Sequence, residues 1–323
     1  MEGISNTVPH ELHRARRQPL NHFFSKARVA SQQNVIDRSL VIFCDRISKF
    51  AVAGKAVALG AAISALTRDI ACEFLLDKTY AHLKREDFHV NVTNMLQSGG
   101  VVWRVTKHES QRDTRELIRV ATMSSSSSYT PGTKDESPRT IVHKIVNSNL
   151  APSEKKFERV MNDVATITGA GFETAASALR LIFYHLATVD AAKDKLKTLE
   201  QLPYLTSVIM EGMRLSPAIG SRAARIAPDR DLFYEGDDGY TMRIPAGTPV
   251  GMTTILMHTN ETLYPAPLSF NPDRWMDAGA RRRLEKTYAP FSRGTRICLG
   301  MHLAWAEMYL IVSEVIQHFD IKF

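Results

Sequence analysis

A single cysteine stands between two glycines in the stretch Phe291-Ser292-Arg293-Gly294-Thr295-Arg296-Ile297-Cys298-Leu299-Gly300. Apolar and acidic residues follow at helical spacing, namely Leu303, Ala304 and Glu307. This spacing predicts that the cysteine lies just before the N-terminus of a helix. Unpaired backbone N–H groups and the positive end of the helix dipole lower a thiol pKa in that position. We therefore expect a reactive thiolate at Cys298.

The residues around the cysteine suit one kind of loop. Gly294 and Gly300 allow the backbone to fold tightly around the sulfur, because glycine accepts positive φ and close approach. Arg296 offers a planar fork that matches a carboxylate. A thiolate, a tight glycine turn and a carboxylate clamp together indicate a haem-thiolate loop. The alternative is a free cysteine in an ordinary loop-to-helix junction.

Composition limits the classes of protein that the chain can belong to. The 323 residues are 44% hydrophobic, which is enough for a sizeable buried core in one or two domains. Three cysteines are too few, and odd in number, for a disulfide framework, so we expect a reducing compartment. No run of 18 apolar residues and no secretory leader is visible, so the sequence predicts neither a transmembrane helix nor export.

The net charge of +7 leaves the choice of partner open. Basic clusters occur at residues 14–17 and 281–283, but aromatic residues do not alternate with them. We therefore predict no nucleic-acid binding. Solvated surface is one interpretation of these clusters, and an acidic redox partner is another if a haem is present.

Hydrophobic periodicity predicts a mainly α protein with a small β region near residues 220–256. A serine run within residues 124–138 predicts a polar linker, and Ser31 is expected to cap a helix. The long helix is expected to begin at Pro152 and to cross the core over about 35 residues. The predicted helices cover residues 31–53, 55–76, 85–97, 152–186, 202–215 and 300–318.

Two further motifs stand on predicted helices. Glu211 and Arg214 share one helix face at i, i+3 and can form an ion pair, which is of small value if it lies on the surface. The run Ala170-Gly171-Phe172-Glu173-Thr174 lies in the middle of the long helix. By itself it is a weak glycine position in a core helix.

Taken together, these motifs resemble the cytochrome P450 family. The cysteine stretch matches the haem-binding signature F-x-x-G-x-R-x-C-x-G at Phe291, Gly294, Arg296, Cys298 and Gly300. The other matches are Glu211-Gly212-Met213-Arg214 with E-x-x-R, Pro272-Asp273-Arg274-Trp275 with P-x-R-[FW], and residues 170–174 with [AG]-G-x-[DE]-T. The residues around these motifs are similar to those of fungal P450s of secondary metabolism.

The resemblance implies a role for each matched residue. Cys298 is implied as the metal ligand of a haem b, with Arg296 on a haem propionate. Glu211, Arg214 and Arg274 are implied to form a buried charge cluster that holds the cysteine loop. In a cluster of that kind, loss of one member typically costs roughly 3–5 kcal/mol.

The long helix is implied to activate oxygen. Gly171 and Ala170 leave room beside the haem, and the hydroxyl of Thr174 can bond back to the carbonyl of Ala170 and open the helix. Thr174 and Glu173 are then the catalytic pair, with Glu173 relaying protons from solvent.

Three more residues are implied as neighbours of the haem propionates. The family motif W-x-x-x-R is similar to His13-x-x-x-Arg17, with histidine in place of tryptophan. A solvated basic turn is the other interpretation of this run. Arg225 stands where a propionate-binding arginine often follows the E-x-x-R helix.

Compared with the family, the sequence predicts one partial cytochrome P450 domain over residues 1–323. The resemblance begins at the C-helix region and ends at the L-helix. It predicts that the N-terminal anchor and the C-terminal hairpin are missing and that the F–G region, between Lys107 and Arg115, and the segment between Ala187 and Leu202 are shortened.

Two functions follow as expectations. The first is a haem-thiolate monooxygenase that takes electrons from NADPH-cytochrome P450 reductase and hydroxylates a hydrophobic small molecule, such as a fungal terpenoid or polyketide. The second is a non-catalytic remnant with weak or no haem binding; a peroxide-driven enzyme is a third interpretation, which Thr174 disfavours. Full-length relatives are implied to sit in the endoplasmic reticulum membrane, and this chain is expected to be membrane-peripheral or cytoplasmic.

Overall fold

A computed structural model describes residues 3–97, 140–189, 202–216, 219–220, 222–236 and 238–322. Helices make up most of this part of the chain. They are α1 (His10–Asn21), α2 (Lys26–Ser31), α3 (Gln33–Val52), α4 (Leu59–Leu76), α5 (Val90–Gln97), α6 (Ile141–Val146), α7 (Phe157–Thr188), α8 (Leu202–Leu215), α9 (Thr254–His258), α10 (Ala278–Leu284) and α11 (Met301–His318).

The core is built on α4 and α7. Fifteen of the 18 residues of α4 are buried, so neighbours cover this helix on nearly every side. It packs against α3 on one side and α7 on the other. Helix α7 also contacts α8 and α11, and α11 contacts α2, α3 and α8. The elements that carry the sequence motifs are therefore packed on one another.

The contact between α7 and α8 depends on a glycine. A Cβ atom at Gly212 would lie 2.2 Å from Cγ1 of Ile182 in α7, which no real pair of carbons allows. The two helices thus approach more closely than any side chain at position 212 would permit. Glu211 and Arg214 are carried on this closely packed helix.

In the described ranges, four short strands form two separate antiparallel pairs. Strand β1 (Ala223–Ile226) pairs with β4 (Pro249–Met252), and β2 (Leu232–Glu235) pairs with β3 (Thr241–Ile244). Ala223 lies opposite Met252, and Leu232 lies opposite Ile244. Apolar side chains of both pairs face solvent, including Phe233 at 66% and Met252 at 67% exposure.

The predicted fold class, mainly α with a small β region near residues 220–256, is confirmed. The helix over 202–215 has the predicted bounds. Ser31 is not an N-cap, because it is the last residue of α2, and the helix that follows begins at Gln33. Pro152 begins a short 3-10 turn rather than the long helix, since Lys156 is extended and α7 begins at Phe157.

Some predicted features lie outside the described residues, namely the linker at 124–138, the F–G region and most of the segment before Leu202. The division of the chain into one partial domain stays a prediction. Within the ranges that the structure describes, no helix combines the length and the apolar character that crossing a membrane requires.

Candidate active site

The cysteine loop is closed by its own backbone. The N–H of Cys298 donates to the carbonyl of Phe291 over 2.9 Å, and the N–H of Ile297 donates to that of Gly294 over 3.1 Å. Gly294 has φ of +71°, a conformation that favours glycine. Ser292 adopts φ of +61° at an extra cost. The loop is therefore a tight turn whose shape requires the glycine at 294.

The second glycine of the loop has no such conformational need. Gly300 caps α11 with φ of −86° and ψ of 13°, values open to other residues. A Cβ atom there would meet only Cε1 of Phe24, at 4.0 Å. The expectation that Gly300 is required by positive φ or by close approach of the protein is thus wrong for the described chain.

Cys298 is exposed to solvent, although nearby protein atoms influence the pKa of its thiol. Burial raises the pKa of the thiol, while the N–H of Gly300, bonded to the sulfur, and the charge of Arg17 lower it. Burial is the largest of these effects, so the protein alone keeps the pKa above 9.0 and the predicted fall is not found. A thiol of this kind loses its proton when it binds a metal.

Three arginines lie on or beside the cysteine loop, and neutral oxygens hold each of them. Nη1 of Arg17 donates to the carbonyl of Ile297 over 2.7 Å, which ties α1 to the cysteine loop. Nη1 and Nη2 of Arg296 donate to the carbonyls of Thr7 (2.7 Å) and Val8 (3.1 Å).

Arg225 on β1 completes the group. Its Nη2 donates to the hydroxyl of Ser292 over 3.2 Å, and its Nη1 donates to the carbonyl of Ala224 over 3.0 Å. The charge of Arg225 lowers the pKa of Arg296, after the larger effect of burial, which shows that the two guanidinium groups lie near each other. The three arginines and the cysteine form one site, which we call the cysteine pocket.

The cysteine pocket carries positive charge that the protein itself does not balance. None of its three arginines forms an ion pair with a carboxylate among the described residues, although other arginines of the core do. Each guanidinium has five N–H donors, so several remain for a further acceptor. An anionic group with two carboxylates and an iron that accepts a thiolate therefore fits this donor set, and haem is such a group.

His13 lies on the buried face of α1 next to these cations. Burial, followed by the charges of Arg296 and Arg17, lowers its pKa to about 4. At neutral pH the imidazole is therefore uncharged, and it has one N–H to donate. The solvated basic turn that the sequence left open is not observed at His13, which is buried within α1.

Helix α7 carries the second motif and contacts α11, the helix that Cys298 precedes. The hydroxyl of Thr174 donates to the carbonyl of Ala170 over 2.8 Å, as the sequence predicts. The side chain of Ala170 is exposed although it lies in the middle of a core helix. This part of α7 therefore borders open space, with a hydroxyl one turn away.

Two residues of that motif face elsewhere. A Cβ atom at Gly171 would meet Cβ of Ala71 at 3.4 Å and Cδ1 of Leu75 at 3.8 Å, so position 171 points at α4 and not at open space. Glu173 is held by Arg180, whose Nη2 lies 3.2 Å from Oε2. Its other oxygen, Oε1, is buried and has no hydrogen-bond partner among the residues that the structure describes. The expected room at Gly171 is thus not seen, and a salt bridge fixes Glu173.

The structure contains the contacts of the implied charge cluster. Arg214 forms two hydrogen bonds with Glu211, each of 2.9 Å, and Arg274 donates to Oε1 of Glu211 over 3.0 Å. The cluster holds backbone as well, since Nη1 of Arg214 donates to the carbonyls of His258 and Pro267, both at 2.7 Å. Glu211 and Arg214 are at most 1% exposed, so the pair is of the buried kind.

Sequence reasoning missed two members of this cluster. The indole N–H of Trp275 donates to Oε2 of Glu211, a contact that the P-x-R-[FW] motif could have suggested. His258 bonds the carbonyl of Arg214 through Nδ1 and accepts the N–H of Ala289 at Nε2, over 3.2 and 3.0 Å. Ala289 lies two residues before Phe291, so His258 connects the cluster to the cysteine loop. No pattern in the sequence indicates that this histidine belongs to the cluster.

Glu307 on α11 is a buried acid without a partner. Its side chain is completely buried, and neither carboxyl oxygen forms a hydrogen bond with the described residues. Burial raises the pKa of Glu307 well above its ordinary value, so the folded chain favours the neutral form of this acid.

Comparisons with known proteins agree with this arrangement of helices and cysteine pocket. The family profile described as Cytochrome P450 matches residues 1–323. The chain is 34% identical to the cytochrome P450 monooxygenase tpcC of Cochliobolus heterostrophus, over 98% of this chain and 67% of that protein. It is 30% identical to the N-acetyltryptophan 6-hydroxylase ivoC of Emericella nidulans, over 98% of this chain and 69% of that protein.

A further relative is the conidiogenone synthase PchP450 of Penicillium rubens, at 30% identity over 97% of this chain and 70% of that protein. The fold is similar to the crystal structure of the cytochrome P450 CYP102L1, with a TM-score of 0.74 and 20% identity, covering 97% of this chain and 73% of that one. The chain therefore belongs to the cytochrome P450 family. Membership of this family implies a haem-thiolate cofactor, which the cysteine pocket fits.

Proposed function

We propose that the chain is a haem-thiolate monooxygenase that hydroxylates a hydrophobic small molecule with O2 and electrons from NADPH-cytochrome P450 reductase. The observation that carries the proposal is the cysteine pocket, where an exposed cysteine lies on a loop that contains Arg296 and contacts Arg17 and Arg225, and these arginines have no acidic partner in the described chain. The family and its fungal monooxygenase relatives support an oxygen-incorporating reaction.

The proposed roles follow from what each group can donate. Bound haem b would supply the activation of dioxygen. The sulfur of Cys298 would be the metal ligand, and the N–H of Gly300 would stabilise its negative charge. Arg17, Arg225 and Arg296 would hold the haem carboxylates with the N–H donors that the protein leaves free.

Thr174 and Glu173 would transfer protons during the reaction. The hydroxyl of Thr174 donates its hydrogen bond to the carbonyl of Ala170. Its oxygen therefore keeps its lone pairs free to accept a hydrogen bond, and through it a proton, from another donor. Oε1 of Glu173 is the free acceptor of its salt-bridged carboxylate. In the proposal Oε1 takes up a proton, and Thr174 passes one on when its hydroxyl turns away from the Ala170 carbonyl.

The substrate and the surroundings of the enzyme belong to the proposal as well. The relatives include an N-acetyltryptophan 6-hydroxylase and a conidiogenone synthase, so the family resemblance spans unlike substrates. We propose a hydrophobic small molecule of fungal secondary metabolism, a terpenoid or a polyketide, and association with the endoplasmic reticulum membrane, where the full-length relatives are expected.

A second candidate function is haem binding without turnover. The exposed apolar side chains of the two strand pairs favour it, because isolated two-stranded sheets are marginally stable in water. In that case Cys298, Arg17 and Arg296 would still bind haem, while the strand pairs, one of which carries Arg225, would not hold a stable structure.

The carbon-monoxide difference spectrum of the reduced, haem-loaded chain tests the proposal. We expect the red-shifted Soret band of a thiolate-ligated haem, and we expect Cys298→Ala to lose that band. Cys44→Ala is the matched control, because Cys44 is a free cysteine on α3 and should leave the band intact.

Consumption of NADPH and O2 with a P450 reductase then separates the two candidates. Turnover that falls in Thr174→Val would support the monooxygenase. A thiolate band without any turnover would support haem binding alone. Failure of the wild-type chain to take up haem would contradict both.

A further inference from the structure

The arginine of the cysteine loop is clamped by the other end of the chain. Arg296 donates one N–H to the carbonyl of Thr7 and another to that of Val8, over 2.7 and 3.1 Å. Within the described part of the chain, these two carbonyls are the hydrogen-bond acceptors of its guanidinium. The direction of the remaining N–H groups is therefore set by where the backbone of residues 7 and 8 lies.

Thr7 is itself held in place by its side chain. Its hydroxyl accepts a hydrogen bond from Nη1 of Arg16 over 2.7 Å and donates one to the carbonyl of Gly3 over 3.0 Å. Thr7 is only 4% exposed, so water does not replace these bonds easily. The same residue thus anchors a short backbone segment and offers a carbonyl to Arg296.

Ion pairs connect Arg16, the partner of Thr7, to the core of the protein. Arg16 forms a two-bond pair with Glu154, over 2.7 and 2.9 Å, and Glu154 also accepts from Arg159 over 3.0 Å. These hydrogen bonds to Arg16 are the main reason that the pKa of Glu154 is lowered. Arg159 lies near the start of α7, so the ion pairs fix Arg16 relative to the helix that carries Thr174.

A second link secures the same segment to α7. Oδ1 of Asp163 accepts the N–H of Ile4 over 2.7 Å and pairs with Arg159 over 2.7 Å. Residues 3–8, which we call the clamp segment, are thereby attached to α7 at Ile4 and to Arg16 at Thr7. Two sets of contacts thus fix its position.

We propose that Thr7 is a positioning residue, which aims Arg296 at a haem carboxylate by placing the two carbonyls of the clamp segment. The inference rests on the proposed function, since it assigns Arg296 to a haem. Thr7 touches neither the cofactor nor the reacting atoms in this account and acts through Arg296. The ordinary alternative is that the Thr7 hydroxyl only stabilises the fold.

Hydrogen exchange of the cysteine loop separates the two accounts without requiring haem. In the haem-free chain, the amide of Cys298 is protected by its bond to Phe291. Thr7→Val replaces the hydroxyl with a methyl group, which detaches the clamp segment from Arg16 and loosens Arg296. We expect exchange at the amide of Cys298 to rise about tenfold, as the loss of one buried hydrogen bond gives. Thr7→Ser keeps the hydroxyl and should exchange as the wild type does.

Thr67→Val is the matched control for a loss of stability alone. Thr67 is a buried residue of α4 whose hydroxyl bonds the carbonyl of Ile63 over 3.2 Å, within its own helix. If Thr7→Val speeds exchange at Cys298 no more than Thr67→Val does, Thr7 is a structural residue and the proposal is overturned.

Haem release gives the second readout. With the haem-loaded chain, we expect Thr7→Val to release haem to apomyoglobin about tenfold faster, and to have no further effect in an Arg296→Met background, because its influence passes through that arginine. Effects of the two substitutions that simply multiply would overturn the proposal. A wild-type chain that binds no haem would defeat the proposed function and the haem part of this one, while the exchange comparison would still decide whether Thr7 holds Arg296.

Discussion

The indole N–H of Trp275 lies 2.9 Å from Oε2 of Glu211, in a place where both side chains are at most 1% exposed. The same carboxylate oxygen also accepts from Arg214. Trp275→Phe retains an aromatic ring but removes one of the hydrogen-bond donors to the buried carboxylate of Glu211. We expect a loss of about 1–3 kcal/mol in the free energy of unfolding, measured by denaturant titration.

Trp305→Phe is the control for the loss of indole area. Trp305 stacks on Tyr309 with ring centroids 5.5 Å apart and has no hydrogen bond from its indole N–H in the part of the chain described here. If both substitutions lower the stability equally, the bond to Glu211 contributes nothing of its own.

Gly212→Ala tests the close approach of α8 to α7. The new methyl group would lie 2.2 Å from Cγ1 of Ile182, so one helix must shift. Overpacking of this kind typically costs about 1–3 kcal/mol. Gly171→Ala serves as a control inside α7, because its methyl group would meet carbons only at ordinary distances of 3.4 and 3.8 Å.

The cause of that cost can be checked with a second substitution. Ile182→Ala removes both of the clashing carbons, and the next atom, Cβ, lies 3.6 Å from the new methyl group. We expect the double variant to be more stable than the sum of the two single losses predicts. Additive losses in thermal unfolding would show that the clash is not the source of the effect.

His258 should make the stability depend on pH. Burial is the main reason that its pKa falls from 6.5 to about 4, so the folded chain favours the neutral ring. Between these two values the unfolded chain binds more protons, and stability therefore rises with pH. The contribution is complete above pH 6.5 and is lost as the pH falls toward 4, by up to about 3 kcal/mol.

The comparison that isolates this histidine is His258→Asn against the wild type. His82, whose pKa falls to about 3 mainly through burial, adds a pH dependence of the same sign to both proteins. We expect urea unfolding at several pH values to give a shallower slope for the variant between pH 4 and 6.5. Parallel curves would mean that the pKa of His258 is not displaced.

The arginines of the cysteine pocket should each contribute to haem affinity. Arg17→Met and Arg225→Met remove one charged donor apiece while retaining a long side chain. A lost charge-assisted hydrogen bond corresponds to a fall in affinity of about 10–100-fold, measured by haem transfer to apomyoglobin. Arg14→Met is the control, since Arg14 lies beside Glu11 on the exposed face of α1, the helix that also carries Arg17. Equal effects of all three would indicate general electrostatics instead of binding in the pocket.

Local sequence patterns predicted the elements whose residues are neighbours in the chain. The bounds of α8, the bond from Thr174 to Ala170 and the Glu211–Arg214 pair all depend on spacings of three or four residues. The direction of Gly171 could not be predicted, because it depends on which neighbour α7 packs against. The rise in the pKa of Cys298 could not be predicted for a similar reason, since it comes from burial, which depends on how the folded chain packs around the loop.

The contact of Arg296 with Thr7 spans 289 positions of the chain. During synthesis the clamp segment emerges before its partner arginine, because the residues between them must be translated in the meantime. At ordinary translation speeds of 5–20 residues per second, this delay is roughly 15 to 60 s. The helices of the core therefore have time to pack before the cysteine pocket can close, so the nascent chain acquires its capacity to hold a cofactor late.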